Sequence, residues 1–177
     1  MKVFGLAGWS GSGKTTLMVK LLPELKGRGF SVSTIKHTHH SFDIDKPGKD
    51  SYEHRRAGAS EVLVSSSARW ALLRELRGEP EPELGDLIAR MTPVDILLVE
   101  GFKSYPHPKI EIHRPALGKP LLCTNDPHVV AVASDARLTG LAVPVFDLDD
   151  VAGIADRILA VLRMETPARR GAAHGAA

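Results

Sequence analysis

The sequence predicts a three-layer α/β fold with a mainly parallel central sheet. Short apolar runs of strand length alternate with amphipathic helical segments, the pattern of a parallel sheet with helices packed on its faces. The run 94–99 is almost continuously apolar, as in a central parallel strand covered on both faces. With 177 residues, the chain is expected to form one domain over residues 1–163, followed by a disordered Ala/Gly/Arg-rich tail over residues 164–177.

The first strand is predicted over residues 2–7, because this apolar run leads into a glycine-rich segment. Further strands are predicted from β-rich or apolar runs that are bounded by turn residues. They cover residues 30–36, 61–65, 69–73, 109–113, 129–133 and 143–146. The strand 109–113 is expected at an edge of the sheet.

Helices are predicted where apolar residues recur at helical spacing. Leu17, Leu21 and Leu25 give the segment 15–26 an apolar stripe. Asp50 or its neighbour is expected to cap a short helix that ends near residue 58. The remaining helices are expected at residues 83–91 and 150–162.

Composition excludes several classes of function. The formal net charge of +2 is too small to indicate a nucleic-acid partner, and no basic run is interleaved with aromatic residues. Cys123 is the only cysteine, which excludes an intrachain disulfide and an all-cysteine metal site. No apolar stretch approaches the ~20 residues that span a bilayer, and the first strand leaves no room for a signal peptide. We therefore expect a cytoplasmic protein with neither a nucleic-acid nor a membrane partner.

Residues 8–15, Gly-Trp-Ser-Gly-Ser-Gly-Lys-Thr, match the phosphate-binding P-loop motif completely. Its glycines let the loop curl so that successive backbone N–H groups point at phosphate oxygens, and the following helix adds its positive dipole end. Lys14 is expected to contact the β- and γ-phosphates and the Thr15 hydroxyl to ligate Mg²⁺. An apolar strand before the motif and an amphipathic helix after it provide the required context. The sequence thus predicts the fold of P-loop nucleoside triphosphatases.

The strand that follows residue 94 delivers an acidic residue to the same edge of the sheet. Asp95 begins this strand and Glu100 ends it. Because ligands bind outside the carboxyl ends of parallel strands, Glu100 is the predicted second Mg²⁺ ligand.

The segment after the second strand is rich in histidine. Lys36 is at the end of that strand, His37 comes directly after it, and His39 and His40 follow. Such a cluster can bind a transition metal. It can equally form a polar lining that meets phosphate or an acidic ligand, because metal sites usually add cysteine or carboxylate ligands in fixed geometry. We favour the polar lining and assign Lys36 and His37 to the nucleotide site.

The same loop carries Asp43, Asp45 and Asp50 beside two lysines. One of these carboxylates can position a water for attack on the γ-phosphate or hold Mg²⁺ through water. A solvated, internally paired loop is the alternative. We assign Asp50, together with Lys14, as the candidate catalytic residues.

A carboxylate that accepts from the adjacent N1–H and N2–H₂ donors of guanine would select that base. Asp135 follows the apolar strand 129–133 at the correct edge of the sheet and is the candidate for this role. Asn125 and Asp126 are the alternative, although Asp126-Pro127 is typical of a turn. Either position can also be a plain strand cap.

Five segments in combination resemble the MobB family, the GTP-binding adapters of molybdopterin-guanine dinucleotide biosynthesis. They are Trp-Ser-Gly-Ser-Gly-Lys-Thr-Thr at 9–16, Ile-Lys-His-Thr-His-His at 35–40, Asp-Lys-Pro-Gly-Lys-Asp-Ser at 45–51, Val-Glu-Gly-Phe-Lys at 99–103 and Val-Ala-Ser-Asp at 132–135. The P-loop alone is unspecific. The histidine segment and the Asp-Lys-Pro-Gly-Lys-Asp segment make the combination specific.

The resemblance implies a GTP-binding homodimer with at most slow GTP hydrolysis. It also implies a partner enzyme, MobA, which joins GMP to molybdopterin to form the guanine dinucleotide form of the molybdenum cofactor. Carried onto this chain, Gly11, Ser12, Gly13, Lys14, Thr15 and Thr16 hold phosphate, and Thr15 and Glu100 hold Mg²⁺. The loop from Lys36 to Asp50 would then face the γ-phosphate or the pterin.

Three other functions are compatible with a P-loop chain of this size. A small-molecule kinase would need an acceptor pocket and a lid with arginines, for which only the segment 53–56 offers residues. A nickel metallochaperone GTPase would place cysteine beside histidine, whereas Cys123 is far along the chain. An interaction module would bind nucleotide for structural reasons only.

Overall fold

The computed structural model describes residues 1–38 and 42–165. The chain divides into two compact units, one formed by Met1–His37 with the chain from Thr92 onward, and one formed by Thr38–Met91. A single domain over residues 1–163 stays a prediction, and the predicted disordered tail lies outside the described residues from 166 onward.

The helices and strands follow one another in nearly the predicted places. In chain order they are β1 (Lys2–Ala7), α1 (Lys14–Gly27), β2 (Val32–Lys36), α2 (Asp50–Arg56), β3 (Glu61–Ser65), β4 (Trp70–Arg74), α3 (Leu84–Ala89), β5 (Ile96–Glu100), β6 (Lys109–His113), β7 (Val129–Ser134), β8 (Val145–Asp147) and α4 (Val151–Leu162). A short 3₁₀ turn at Pro115–Leu117 follows β6. Among the described residues, no helix is both long and apolar enough to cross a membrane.

The first unit contains a six-stranded sheet in the order β2-β5-β1-β6-β7-β8. Every described pair of neighbouring strands in this sheet is parallel, so the predicted α/β class with a parallel central sheet is confirmed. The helices α1 and α4 pack together over one face of the sheet, where their apolar stripes meet alternate residues of the inner strands. The buried members of this core include Phe4, Leu6, Leu17, Leu21, Leu25, Ile96, Leu98, Ile110, Ile112, Ile154 and Ile158.

The strand β6 is not at an edge of the sheet, so that prediction is wrong. It lies between β1 and β7, and all five of its residues are buried. Its polar side chains are tolerated there because they have internal partners. Lys109 Nζ donates to the carbonyls of Lys103 at 2.6 Å and Tyr105 at 2.9 Å and pairs with Asp126 at 3.0 Å.

Glu111, also on β6, is completely buried and organises the segment that follows the strand. Its carboxylate accepts from the backbone N–H of Leu122 at 2.8 Å and of Cys123 at 2.9 Å. These bonds hold the connecting segment between β6 and β7 against the sheet.

The second unit contains α2, the antiparallel hairpin of β3 and β4, and α3. Arg55 organises the polar part of this unit, because it pairs with Asp43 at 3.0 Å, Asp45 at 2.8 Å and Glu75 at 3.3 Å. Two of the three aspartates of the predicted loop are thus internally paired.

Asp50 does not cap α2, so that prediction is wrong. Lys49 is the N-cap residue, with extended backbone and no side-chain capping bond, and Asp50 is the first residue of the helix. The first turn of a helix suits the Asp50 carboxylate because the helix dipole is positive at this end.

We expect His107 to make the stability of the protein sensitive to acid. It is 5% exposed, and neither ring nitrogen has a hydrogen-bond partner among the described residues. Burial, with the nearby charge of Lys109, lowers the pKa of His107 to about 4 from 6.5. The folded protein favours the neutral ring, so below pH 6.5 the unfolded state binds a proton more readily than the folded state. The free energy of unfolding therefore decreases as the pH falls from 6.5 toward 4. The shift corresponds to a loss on the order of 3 kcal/mol.

We expect His107→Leu to remove this component of the pH dependence, whatever its effect on stability at neutral pH. Urea unfolding of both proteins at several pH values between 7 and 4 measures the slope. An unchanged slope in the variant would assign the acid sensitivity to other groups.

Candidate nucleotide-binding site

The loop between β1 and α1 has the backbone geometry of an anion-binding turn. Gly8, Gly11 and Gly13 have φ values of 144°, 79° and 102°, which residues other than glycine rarely adopt. A Cβ on Gly8 would lie 2.5 Å from the carbonyl oxygen of Ile112, so only glycine fits there. Gly13 is the N-cap of α1 and supplies no side-chain capping bond. The start of α1 is therefore suited to bind an anion.

Lys14 folds back over this loop. Its Nζ donates to the carbonyl oxygens of Gly8 and Trp9, each at 3.0 Å. Burial lowers the pKa of Lys14, the charge of Glu100 opposes that shift, and nearby lysines add to it. A partly buried ammonium group held at the loop is the arrangement that the predicted phosphate contact requires.

Thr15 and Glu100 meet at the carboxyl edge of the sheet. The Thr15 hydroxyl lies 2.9 Å and 3.1 Å from the two carboxylate oxygens of Glu100. Lys36 Nζ lies 3.5 Å from the same carboxylate and 3.4 Å from the Thr15 hydroxyl. Glu100 is 7% exposed, so its charge acts in a partly desolvated place.

The donor set at this point fits Mg²⁺. It offers a hydroxyl and a carboxylate, and Mg²⁺ prefers oxygen ligands from one or two side chains with phosphate and water completing its shell. The described residues hold no group of three or more His, Cys, Asp or Glu side chains that could bind a metal without such help.

The backbone of His37 is hydrogen-bonded to the backbone of Glu100. Its N–H donates to the carbonyl of Glu100 at 2.8 Å, and its ring lies 4.6 Å from the ring of Phe102 between centroids. Gly101 has φ 97°, and a Cβ there would lie 2.8 Å from the Cβ of His37. Glycine at this position therefore allows the close approach. His39 and His40 lie outside the described residues, so the choice between metal and polar lining stays open.

Asp135 is at the end of β7, as predicted, and its carboxylate contacts an arginine. Arg114 Nη1 lies 2.5 Å from Asp135 Oδ2, and Arg114 Nε donates to the carbonyl of Ser12 at 3.0 Å. Asp126, the alternative base contact, pairs with buried Lys109 and accepts from the N–H of His128 at 2.9 Å. The carboxylate of Asp126 therefore has a structural role at the other end of β6.

A cavity of about 380 Å³ opens beside Asp135, at the carboxyl ends of β7 and β8. Its lining residues are Ser134, Asp135, Ala136, Arg137, Leu138, Val145, Phe146 and Asp147. The volume lies within the range of small-molecule sites. Its place at the carboxyl edge of a parallel sheet is where such folds bind ligands.

Comparisons with known proteins identify the family of this chain. The family model described as MobB, molybdopterin guanine dinucleotide synthesis protein B, matches residues 3–135. This chain belongs to the MobB family. It is 48% identical over 160 residues to the molybdopterin-guanine dinucleotide biosynthesis adapter protein of Escherichia coli K12, covering 89% of this chain and 91% of the relative. The corresponding protein of Haemophilus influenzae is 43% identical over 159 residues, covering 88% and 86%.

Solved MobB structures have the same fold. A crystal structure of molybdopterin-guanine biosynthesis protein B superposes with a TM-score of 0.71 at 29% identity, covering 91% of this chain and 99% of the other. A MobB homologue from Bacillus stearothermophilus superposes with a TM-score of 0.68 at 28% identity, covering 92% and 99%.

The remaining predicted residues of this MobB-family chain occupy different places. Gly11, Ser12 and Thr16 lie on the loop and the first turn of α1, and the Ser12 hydroxyl is buried without a partner among the described residues. Asp50 belongs to the other compact unit, so its predicted catalytic role stays a prediction.

The contacts of Trp9, in the loop, and of Arg114 were not predicted from the sequence of this MobB-family chain. Trp9 donates from its indole to the carbonyl of Pro120 at 2.8 Å, and Lys103 Nζ lies 4.6 Å from its ring centroid. Arg114 contacts both Ser12 and Asp135. The signal that could have found Arg114 was its position directly after a predicted strand, where a side chain reaches the carboxyl edge of the sheet.

Proposed function

We propose that this protein is a GTP-binding adapter in molybdopterin-guanine dinucleotide biosynthesis. It assists a MobA-type guanylyltransferase that attaches GMP to molybdopterin, and it hydrolyses GTP slowly at most. The observation that carries the proposal is the joining of Lys14, Thr15 and Glu100 at one glycine-rich loop in a chain of the MobB family.

The phosphate half of the proposed site rests on complementary charge. The start of α1 and the Lys14 ammonium are positive, and both lie at the loop that carries Gly11 and Gly13. Bound phosphates would replace the carbonyl contacts of Lys14 with charge-assisted hydrogen bonds, which are roughly twice as strong as neutral ones. Lys36 lies close enough to add a further cation.

Thr15 and Glu100 would hold Mg²⁺ at the edge of this loop. When bound, Mg²⁺ neutralises negative charge on the β- and γ-phosphates. The Thr15 hydroxyl and the Glu100 carboxylate already lie at hydrogen-bond distance from each other, so little rearrangement is needed to direct both toward one ion.

The base half of the proposed site is the cavity beside Asp135. The Asp135 carboxylate is the acceptor that guanine N1–H and N2–H₂ require, and Arg137 lines the same cavity. Arginine is a common partner of guanine O6 and N7. This arrangement supports selection of guanine.

A homodimer and a cytoplasmic location belong to the same proposal. Leu63, Trp70 and Leu72 of the hairpin are 62%, 66% and 47% exposed, and Leu63 lies opposite Leu72 across the two strands. An exposed apolar face of this kind is typical of an interaction surface. Sedimentation velocity of the full chain measures whether a dimer forms.

Titration of the full chain with GTP and ATP, with and without Mg²⁺, tests the proposal. We expect GTP to bind more tightly than ATP and Mg²⁺ to strengthen binding. Turnover is then measured with and without molybdopterin and the partner enzyme. A preference for ATP, or transfer of phosphate to a small acceptor, would favour a kinase instead.

The nickel metallochaperone alternative draws little support from the one cysteine. Burial, followed by the charge of Glu111, raises the pKa of the Cys123 thiol. A thiol that resists deprotonation is a poor metal ligand.

Glu100→Gln tests the magnesium site. Glutamine keeps the volume and an oxygen that accepts from Thr15, but it removes the charge that Mg²⁺ needs. We expect GTP affinity without Mg²⁺ to change little, while the gain from Mg²⁺ falls by about tenfold or more.

Asp95→Asn is the matched control for this variant. Asp95 lies just before the other end of β5 and accepts from the backbone N–H of Ser31 at 2.7 Å and its hydroxyl at 2.6 Å. If Asp95→Asn abolishes the gain from Mg²⁺ and Glu100→Gln does not, the metal ligand has been misassigned.

A further inference from the structure

Arg114 lies between the two halves of the proposed nucleotide site. It directly follows β6, whose neighbours in the sheet are β1, which leads into the phosphate loop, and β7, which ends beside Asp135. Its guanidinium donates from Nε to the carbonyl of Ser12 and from Nη1 to Asp135. One side chain thus contacts the loop that would hold phosphate and the carboxylate that would read the base.

The same guanidinium lies close to the start of α1. Its Nη2 is 3.5 Å from the place that a Cβ on Gly13 would occupy. The Arg114 and Asp135 side chains are 35% and 39% exposed, so their ion pair can open without uncovering a buried charge. Arg114 can therefore change partners at modest cost in free energy.

Guanine and Arg114 would both donate to the Asp135 carboxylate. Guanine recognition through N1–H and N2–H₂ would use both oxygens of Asp135, and Arg114 already donates to Oδ2, so bound guanine would have to share that oxygen and would weaken the ion pair. A guanidinium that loses this partner keeps its bond to the loop and carries a positive charge that is no longer paired. That charge favours an anion at the neighbouring phosphate loop.

We propose that Arg114 is a positioning residue that couples the base cavity to the phosphate loop. Guanine at Asp135 releases Arg114 toward the phosphates, and phosphate at the loop draws Arg114 away from Asp135. The coupling is reciprocal, because each ligand must change the affinity for the other by the same factor. This inference rests on the proposed function, since it requires nucleotide at this site.

The test separates the nucleotide into two probes, guanosine and inorganic tripolyphosphate. Calorimetry on the full chain measures the affinity for tripolyphosphate with and without guanosine near its solubility limit. We expect guanosine to raise the affinity of the native protein by about fivefold or more, the lower end of usual coupling between sites. We call the ratio of the tripolyphosphate affinities with and without guanosine the coupling factor. In Arg114→Met this factor should fall to about one, while Arg114→Lys should retain part of the coupling.

Arg28→Met is the matched control. Arg28 forms an ion pair with Glu24 at 2.8 Å and another with Asp156, at the far end of α1. We expect this variant to keep the native factor, although it also loses an arginine and its ion pairs. Thermal unfolding of both variants reports any general loss of structure.

Two results overturn the inference. One is a factor of one in the native protein, and the other is an unchanged factor in Arg114→Met. If the native protein binds GTP with Mg²⁺ and either result is found, the coupling fails and the proposed function stands. If the native protein binds neither GTP nor tripolyphosphate, the proposed function itself fails.

Discussion

Lys14→Ala is expected to weaken GTP binding by about 2–4 kcal/mol, the usual cost of removing one partner from a desolvated charge contact. The ammonium group lies at the loop through its bonds to the carbonyls of Gly8 and Trp9, and Lys14 is not a member of the apolar core cluster. The fold should therefore survive the change. Calorimetry measures the affinity, and thermal unfolding confirms that the variant is folded.

Lys26→Ala controls for the loss of one positive charge on the same helix. Lys26 is exposed in the last turn of α1, away from the phosphate loop. We expect this variant to bind GTP as the native protein does. Equal affinity in the native protein and Lys14→Ala would contradict the assignment of the loop as a phosphate site.

Asp135→Asn is expected to lower GTP affinity by about 1–3 kcal/mol, the value of a bidentate base contact. The amide places a donor where guanine also presents donors. Xanthosine triphosphate carries a carbonyl at position 2, so it offers an acceptor there and should bind the variant better than GTP does. The result is a change of preference between two nucleotides, which general destabilisation does not produce.

Arg114→Met distinguishes the loss of the contact between Asp135 and guanine from the loss of the ion pair between Arg114 and Asp135. It removes the pair but keeps the carboxylate, so the native preference for GTP over xanthosine triphosphate should remain. Equal losses for both nucleotides in Asp135→Asn would indicate a structural role for Asp135 at the end of β7.

The local parts of the fold were predictable because nearby residues determine them. The strand β1 agrees with its prediction at both ends, and α1 agrees to within a residue. The glycines, Lys14 and Thr15 are close together in sequence, so their joint geometry follows from the motif. The position of Glu100 beside this loop was predictable for a different reason, since all parallel strands deliver their last residues to one edge of the sheet.

The error at β6 shows where this reasoning stops. The strand 109–113 was expected at an edge of the sheet, but it is buried, although residues 109, 111 and 113 are polar. Lys109 pairs with Asp126, and Glu111 binds the backbone of Leu122 and Cys123. No periodicity within a strand reveals such partners, because they come from connecting segments.

The sequence by itself determined the α/β class, the P-loop, the acidic end of β5 and the family, because each depends on a local pattern or on a rule of sheet geometry. Only the tertiary structure decided the order of the strands, the burial of β6 and the contact of Arg114 with both Ser12 and Asp135. Ser12 and Arg114 are 102 positions apart, and Arg114 and Asp135 are 21 apart. Contacts over such separations form only when β1, β6 and β7 become neighbours in the sheet.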